Sequence, residues 1–161
     1  KAILFTGTIA DNIRYGKPDA TDQEIRRAAD IAQATDFIDN MEFGFDSYLA
    51  QDATNISGGQ KQRISIARAI VKQPEIYIFD DSFSALDFIT DANLRAALVP
   101  ITKQSTILIV AQRVSTVMHA DRIIVLDEGH MVGYGTHREL LETCTVYREI
   151  VTSQLSEEEL A

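Results

Sequence analysis

The sequence predicts an α/β domain. Three observations carry that prediction. Two short apolar runs, Ile76 to Phe79 and Thr106 to Val110, lack the polar alternation of a half-exposed strand. Several amphipathic runs open on Ser/Thr-x-x-Glu/Gln. Two carboxylates, Asp80 and Asp81, follow the first apolar run directly. Runs without alternation suit strands buried on both faces, as in a parallel sheet. The Ser/Thr-x-x-Glu/Gln pattern lets two side chains satisfy two orphan amides, so it marks where a helix begins. A carboxylate at the C-terminal end of such a strand lies where α/β sheets bind ligands.

Taken in order, Ala2-Ile3-Leu4-Phe5 opens the chain as an apolar run with no lead-in, which reads as a cut through the middle of a domain. Thr6 to Gly16 follows as a short helical turn that packs Ile9 and Ile13 and is closed by Gly16. Thr21-Asp22-Gln23-Glu24 is a capping box, with Ile25, Ala28, Ala29 and Ala32 on one apolar stripe behind it. A second short helix spans about 34–40, and a loop runs from Met41 to Thr54. Ser57-Gly58-Gly59-Gln60 is a second capping box. The helix after it carries Ile64, Ala67 and Val71 at helical spacing, with Lys61, Arg63 and Lys72 off that stripe. Two glycines in its first turn leave backbone amides uncovered, so an anion could approach closely.

Beyond Asp80, a helix is expected from about Phe88 to Val99, ending at Pro100. Thr106 to Val110 is the next strand, with Gln112 at its C-terminal end. Arg122 to Leu126 and His130 to Tyr134 flank Asp127-Glu128-Gly129 as a hairpin. Thr136-His137-Arg138-Glu139 caps a helix to about Thr143, and Val146 to Leu155 is the last helix. Glu157 to Glu159 reads as a frayed, solvated end.

With 161 residues and 45% apolar composition, the chain suits one domain with a real core. A net charge of −9 and the absence of a Lys/Arg block argue against a nucleic-acid surface. Arg26, Arg27 and the Lys/Arg residues of 61–72 read as solvated helix faces. No apolar run approaches the length of a membrane span. The single cysteine, Cys144, excludes an internal disulfide. His119, His130 and His137 lack metal-ligand spacing.

The order and spacing of several motifs together are specific. Ser57 to Gln60, preceded by Ile56, resembles the signature motif of the ATP-binding-cassette (ABC) ATPases. Ile76 to Asp80 resembles their Walker B strand, and Ser84-Ala85-Leu86-Asp87 their D-loop. Thr6 to Gly16 is similar to the stretch after the Q-loop in exporter-type members, which faces transmembrane subunits. The resemblance covers nearly the whole chain. It implies a truncated P-loop NTPase (RecA-like) core with the ABC helical subdomain. About 6–72 would form the helical subdomain and signature, and about 74–161 the C-terminal part of the core.

It also implies ATP and Mg2+ as cofactors, with Asp80 holding the metal, directly or through water. The partners implied are a second nucleotide-binding domain, docked head to tail, and the coupling helices of a transmembrane domain. Such a domain would lie at the cytoplasmic face of a membrane. Ser57, Gly58, Gly59 and Gln60 would complete the partner's nucleotide site, and Asp87 would link the two sites.

Four departures from the family's pattern shape the functional expectation. No Gly-x-x-x-x-Gly-Lys-Ser/Thr occurs in these residues, and the Q-loop glutamine would fall just before Lys1, so weak ATP binding and no activity are expected of this chain alone. Asp81 stands where active members carry Glu, one methylene longer. Gln112 stands where they carry His; it keeps one neutral amide donor and cannot titrate. Gln51, Asp52 and Ala53 stand where Glu, Arg and Gly are common. The pattern resembles the degenerate half of a heterodimeric multidrug or lipid exporter. Two other readings are a nucleotide-independent scaffold and a DNA-repair-type ABC ATPase; the exporter-like Thr6 to Gly16 stretch, the acidic balance and the lack of heptads count against the latter.

A Walker B strand without its neighbour leaves a sheet edge or an apolar face uncovered. The isolated chain is therefore expected to self-associate, and light scattering across a concentration series checks it; a monomer at high concentration would refute the expectation.

Overall fold

A computed structural model describes residues 2–154, and the chain divides after Val110 into two compact units. The first unit begins with a short strand β1 (Gly7–Thr8) that runs into helix α1 (Ile9–Arg14). Thr8 and Asp11 form a capping box there, and Ile9 and Ile13 are fully buried. Gly16 does not adopt the left-handed conformation of a helix terminator. Its reason is space: a Cβ built on it would lie 2.1 Å from the carbonyl oxygen of Arg68.

Helix α2 (Asp22–Ile31) starts on the Thr21/Glu24 capping box and buries Ile25, Ala28 and Ala29. The Lys17 ammonium, 2.5 Å from Glu24, and the amide and hydroxyl of Thr21 together hold the Glu24 carboxyl at about 2. Helix α3 (Thr35–Asp39) follows. Strand β2 (Tyr48–Leu49) then pairs antiparallel with β1, Gly7 opposite Leu49.

Helix α4 (Gly58–Val71) buries Ile64, Ile66, Ala67, Ile70 and Val71, a broader face than the three-residue stripe in the sequence. Strand β3 (Ile76–Asp80), helix α5 (Phe88–Ile101) and strand β4 (Thr106–Val110) complete the unit. β3 and β4 pair in parallel from Ile76–Thr106 to Asp80–Val110. One core joins Tyr77, Phe79, Phe83, Leu86, Leu94 and Leu98 to the buried faces of α1, α2 and α4.

Three expectations from sequence need correction. The β3 strand is buried on one face only: Tyr77 and Phe79 are inside, whereas Ile76 and Ile78 are 60% and 66% exposed. Leu108 and Val110 share that open face through the parallel register. Among the described residues of the unit, the face that carries Ile76, Ile78, Leu108 and Val110 is left open.

Pro100 does not stop α5, which continues to Ile101. A proline in the last turn removes one backbone donor, and the turn is closed by the amide and hydroxyl of Thr102, both donating to the Leu98 carbonyl.

Of the arginines read as solvated, Arg26 and Arg27 are exposed as expected, whereas Arg63 and Arg68 are half-buried and built in. Arg68 donates to the Asn12 carbonyl at 2.8 Å, to Asn12 Oδ1 at 2.9 Å and to the Ile3 carbonyl at 3.0 Å. It lies over the Phe5 ring at 5.0 Å, and burial pushes its guanidinium pKa down. Arg63 donates to the Gln33 carbonyl at 2.6 Å and lies 4.7 Å over Phe37, while Arg26 pairs with Asp39 at 2.5 Å. Long stems that run along apolar surface let these charges reach distant acceptors.

The second unit contains α6 (Val114–Val117), the strands β5 (Ile123–Asp127) and β6 (His130–Gly135), and the helices α7 (His137–Thr143) and α8 (Thr145–Gln154). β5 and β6 form the expected hairpin, closed by Glu128 and Gly129 with φ of 45° and 79°. Positive φ at both central residues is the type I′ requirement. The core holds Val114, Ile123, Val125, Leu140, Cys144, Tyr147 and Val151. The Thr136/Glu139 capping box starts α7 as expected. Leu155 and the acidic residues Glu157 to Glu159 lie outside the described residues.

Two predictions follow from this packing. Gly16→Ala drives a methyl group into a backbone carbonyl that cannot swing aside, so urea unfolding should show a loss of about 1–3 kcal/mol. His137 sits 2.8 Å from the Tyr147 hydroxyl, and burial, with His119 nearby, lowers its pKa below the ordinary imidazole value. The unfolded chain therefore takes up this proton first as pH falls. Stability from this site is complete above about 6.5 and declines as pH drops through the lowered folded value. Urea midpoints from pH 8 to 5 should show the decline, and His137→Gln should flatten it.

Candidate functional site

The site grows from the N-terminus of α4. Ser57 is the cap, with φ −71° and ψ 163°; its hydroxyl accepts from the Gln60 amide at 3.2 Å, and Gln60 Oε1 accepts from the Ser57 amide at 2.8 Å. The two glycines between them differ. Gly58 faces open space, whereas a Cβ on Gly59 would lie 3.0 Å from the Ala85 carbonyl oxygen. Gly59 is thus small because the Ser84–Asp87 loop runs against it. Gly58 leaves the first amides of a 14-residue helix accessible at their positive end.

The approach to this helix is a tight turn. Asp52 and Ala53 both have left-handed backbones, with φ of 57° and 49°. Lys61 donates to the Asp52 carbonyl at 2.6 Å, and Asn55 bridges the Tyr48 carbonyl and the Ala50 amide at 3.0 and 3.2 Å. Ala53 is only 1% exposed and holds a conformation that favours glycine.

Two carboxylates end β3. Asp80 is its last residue, opposite Val110, and is exposed. Asp81 turns out of the strand with φ 49°, and its amide donates to the Val110 carbonyl at 2.9 Å. A left-handed non-glycine residue costs on the order of 1 kcal/mol or more and persists where its surroundings hold it. Here the Asp81 carbonyl accepts from Ser84 Oγ at 3.0 Å and from Gln62 Nε2 at 3.3 Å.

In the loop that follows, Leu86 is buried, and Ser84 and Ala85 are exposed. Asp87 caps α5, accepting from the Thr90 amide at 3.0 Å and the Thr90 hydroxyl at 2.7 Å; these bonds hold its carboxyl below the usual range.

The first unit thus brings Ser57 to Gln60 into contact with Ser84 to Asp87 and sets the Asp80–Asp81 turn on the same helix. Gln112 belongs to the second unit, where its carbonyl accepts from Gln154 Nε2 at 2.8 Å and its side chain is exposed. Sequence reasoning missed Gln62, which joins α4 to the turn and the loop. Two residues past Gln60 and off the apolar stripe, it carries no signal that separates it from Lys61 or Arg63. Among the described residues no cluster of three or more His, Cys, Asp or Glu forms a metal site, and no helix is long and apolar enough to cross a membrane.

Residues 3–84 match the family model described as ABC transporter. The chain is 46% identical over 157 residues to an uncharacterised ABC transporter ATP-binding protein of Mycobacterium bovis, covering 96% of this chain and 27% of that protein. It is 45% identical over 161 residues to a β-(1→2)glucan export ATP-binding/permease protein of Rhodopseudomonas palustris, covering 100% and 27%. A putative multidrug export ATP-binding/permease protein of Staphylococcus aureus is 45% identical over 152 residues, covering 94% and 26%. The structure of a bacterial Atm1-family ABC exporter with ATP bound matches with a TM-score of 0.92 at 36% identity, over 97% of this chain and 27% of that one. The chain therefore spans about a quarter of the length of these relatives. Its mixed helix and strand architecture is the ABC variant of the P-loop NTPase fold. The chain belongs to the ABC transporter family.

Proposed function

We propose that this chain is part of the ATP-binding domain of an ABC exporter, and that it is the less active half of a pair, serving chiefly to complete its partner's nucleotide site. The observation that carries the reading is the asymmetry of the site. Ser57 and Gly58 present an intact, open helix N-terminus, whereas the acid after Asp80 is Asp81, one methylene short, and the residue after Ala111 is Gln112. Relatives named as export ATP-binding/permease proteins support the exporter assignment. The domain would then work at the cytoplasmic face of a membrane, against a transmembrane domain and a second nucleotide-binding domain.

The residues fit the cofactors in different degrees. The open amides at Gly58 and the Ser57 hydroxyl suit the terminal phosphate of an ATP held by the partner, and the helix end favours its negative charge. Asp80, exposed at the strand end, suits a Mg2+ ion whose other ligands are water and phosphate oxygens, since Mg2+ takes few protein carboxylates. Bound Mg2+ would neutralise charge on the phosphates. Asp81 stands next in the chain as the acid that would orient the attacking water, and its shorter reach slows that step; a misplacement of about 1 Å costs on the order of a hundredfold.

The test is ATP turnover by the full-length polypeptide reconstituted with its partner subunit. Ser57→Arg fills the open helix end and should lower the rate about a hundredfold. Asp81→Glu combined with Gln112→His should raise it. Unchanged turnover in Ser57→Arg would refute the service to a partner's site.

A further inference from the structure

We infer that Gln62 is a positioning residue whose carboxamide locks the Asp81 turn and the Ser84–Asp87 loop to the helix that presents Ser57 to Gly59. Its functional consequence rests on the reading above, in which Ser57 to Gly59 and Asp81 serve nucleotide turnover.

The geometry is a two-sided clamp. Gln62 Nε2 donates to the Asp81 carbonyl at 3.3 Å and lies 3.5 Å from Ser84 Oγ, while Oε1 accepts from the Ala85 amide at 3.1 Å. A carboxamide is neutral and carries its donor and its acceptor on two separate atoms of one terminus, so it can serve an amide and a carbonyl at once. Lysine could serve only the carbonyl, and a carboxylate only the amide. One turn earlier on the same helix face, Gly59 meets the Ala85 carbonyl, at 3.0 Å from where a Cβ would stand. Residues three apart on a helix are neighbours, so 59 and 62 form two adjacent fixing points against one loop. Two points fix both the distance and the angle of the loop relative to α4.

The Asp81 backbone is also strained. Asp81 holds φ 49°, a conformation a non-glycine residue keeps only when its surroundings enforce it. Its amide is tied to β4 through the Val110 carbonyl at 2.9 Å, and its carbonyl is tied to α4 through Gln62. Gln62 thus closes the peptide that follows the acid. A displacement of α4 on meeting an anion would reach that peptide directly, through one side chain.

The test uses Gln62→Met in the full-length transporter reconstituted with its partner. Methionine keeps length, packing and helix propensity and removes all three polar contacts. Amide hydrogen exchange over residues 81–87 should accelerate about tenfold with the rest of α4 unchanged. ATP turnover should fall about tenfold in kcat, with KM within about twofold and an unaltered melting temperature, the split expected when positioning and not binding is lost. Unchanged exchange overturns the inference, and so does unchanged kcat or a rise in KM alone.

Ser57→Arg run in parallel separates the two readings. If Ser57→Arg is silent while Gln62→Met loosens the loop and slows turnover, the service to a partner's site fails and the clamp stands. If Ser57→Arg abolishes turnover while Gln62→Met behaves as the unaltered chain, the clamp fails and the service stands.

Discussion

The guanidinium of Arg68 reaches from the last turns of α4 to the Asn12 carbonyl, Asn12 Oδ1 and the Ile3 carbonyl. Asn12, only 2% exposed, in turn accepts from the Phe5 amide and donates to the Phe5 and Thr8 carbonyls. A part-buried charge is tolerable only where its donors are met, and removing one partner leaves the others desolvated. Every member of this network has a partner, and the Phe5 ring covers the charge. The result fixes α4 to α1 and to the start of the chain. Because Ser57 to Gly59 are the first residues of α4, the placement of the open helix end depends on an arginine more than two turns away.

The sequence made the helix starts legible because capping is local. Thr21, Ser57 and Thr136 each carry their answering Glu or Gln three residues on, and all three boxes form. The hairpin was legible for the same reason, since Glu-Gly supplies the turn between two alternating runs. What was not legible is everything decided by what lies opposite. Ile76 and Ile78 look like core residues from spacing alone, and only the one-sided placement of the other elements leaves them exposed. Arg63 and Arg68 look solvated because a helical stripe records which residues are apolar. It does not record which polar ones are covered by distant segments.

The candidate site divides along the same line. Ser57, Gly58 and Gly59 were readable from the cap and the glycines, and Asp80 and Asp81 from their place at a strand end. The unequal duties of the glycines were not, because Gly59 is small on account of a carbonyl 26 residues away in sequence, at Ala85. Nor was the left-handed turn at Asp81, since aspartate tolerates a positive φ without announcing one. Both features arise where α4 meets the loop after β3, and that meeting is set by the core behind Phe83 and Leu86.

Cys144 offers a practical opening. It is the one cysteine of these 161 residues, 5% exposed, with its thiol directed at the Val132 carbonyl in the core of the second unit. A maleimide reagent has to reach the sulfur, and a buried thiol is shielded from it. A cysteine introduced at the open Gly58 position, or on the exposed face of β3 at Ile78, would therefore label selectively without first removing the native residue. The fold thus carries its own quiet background for fluorescence or spin-label work on either surface.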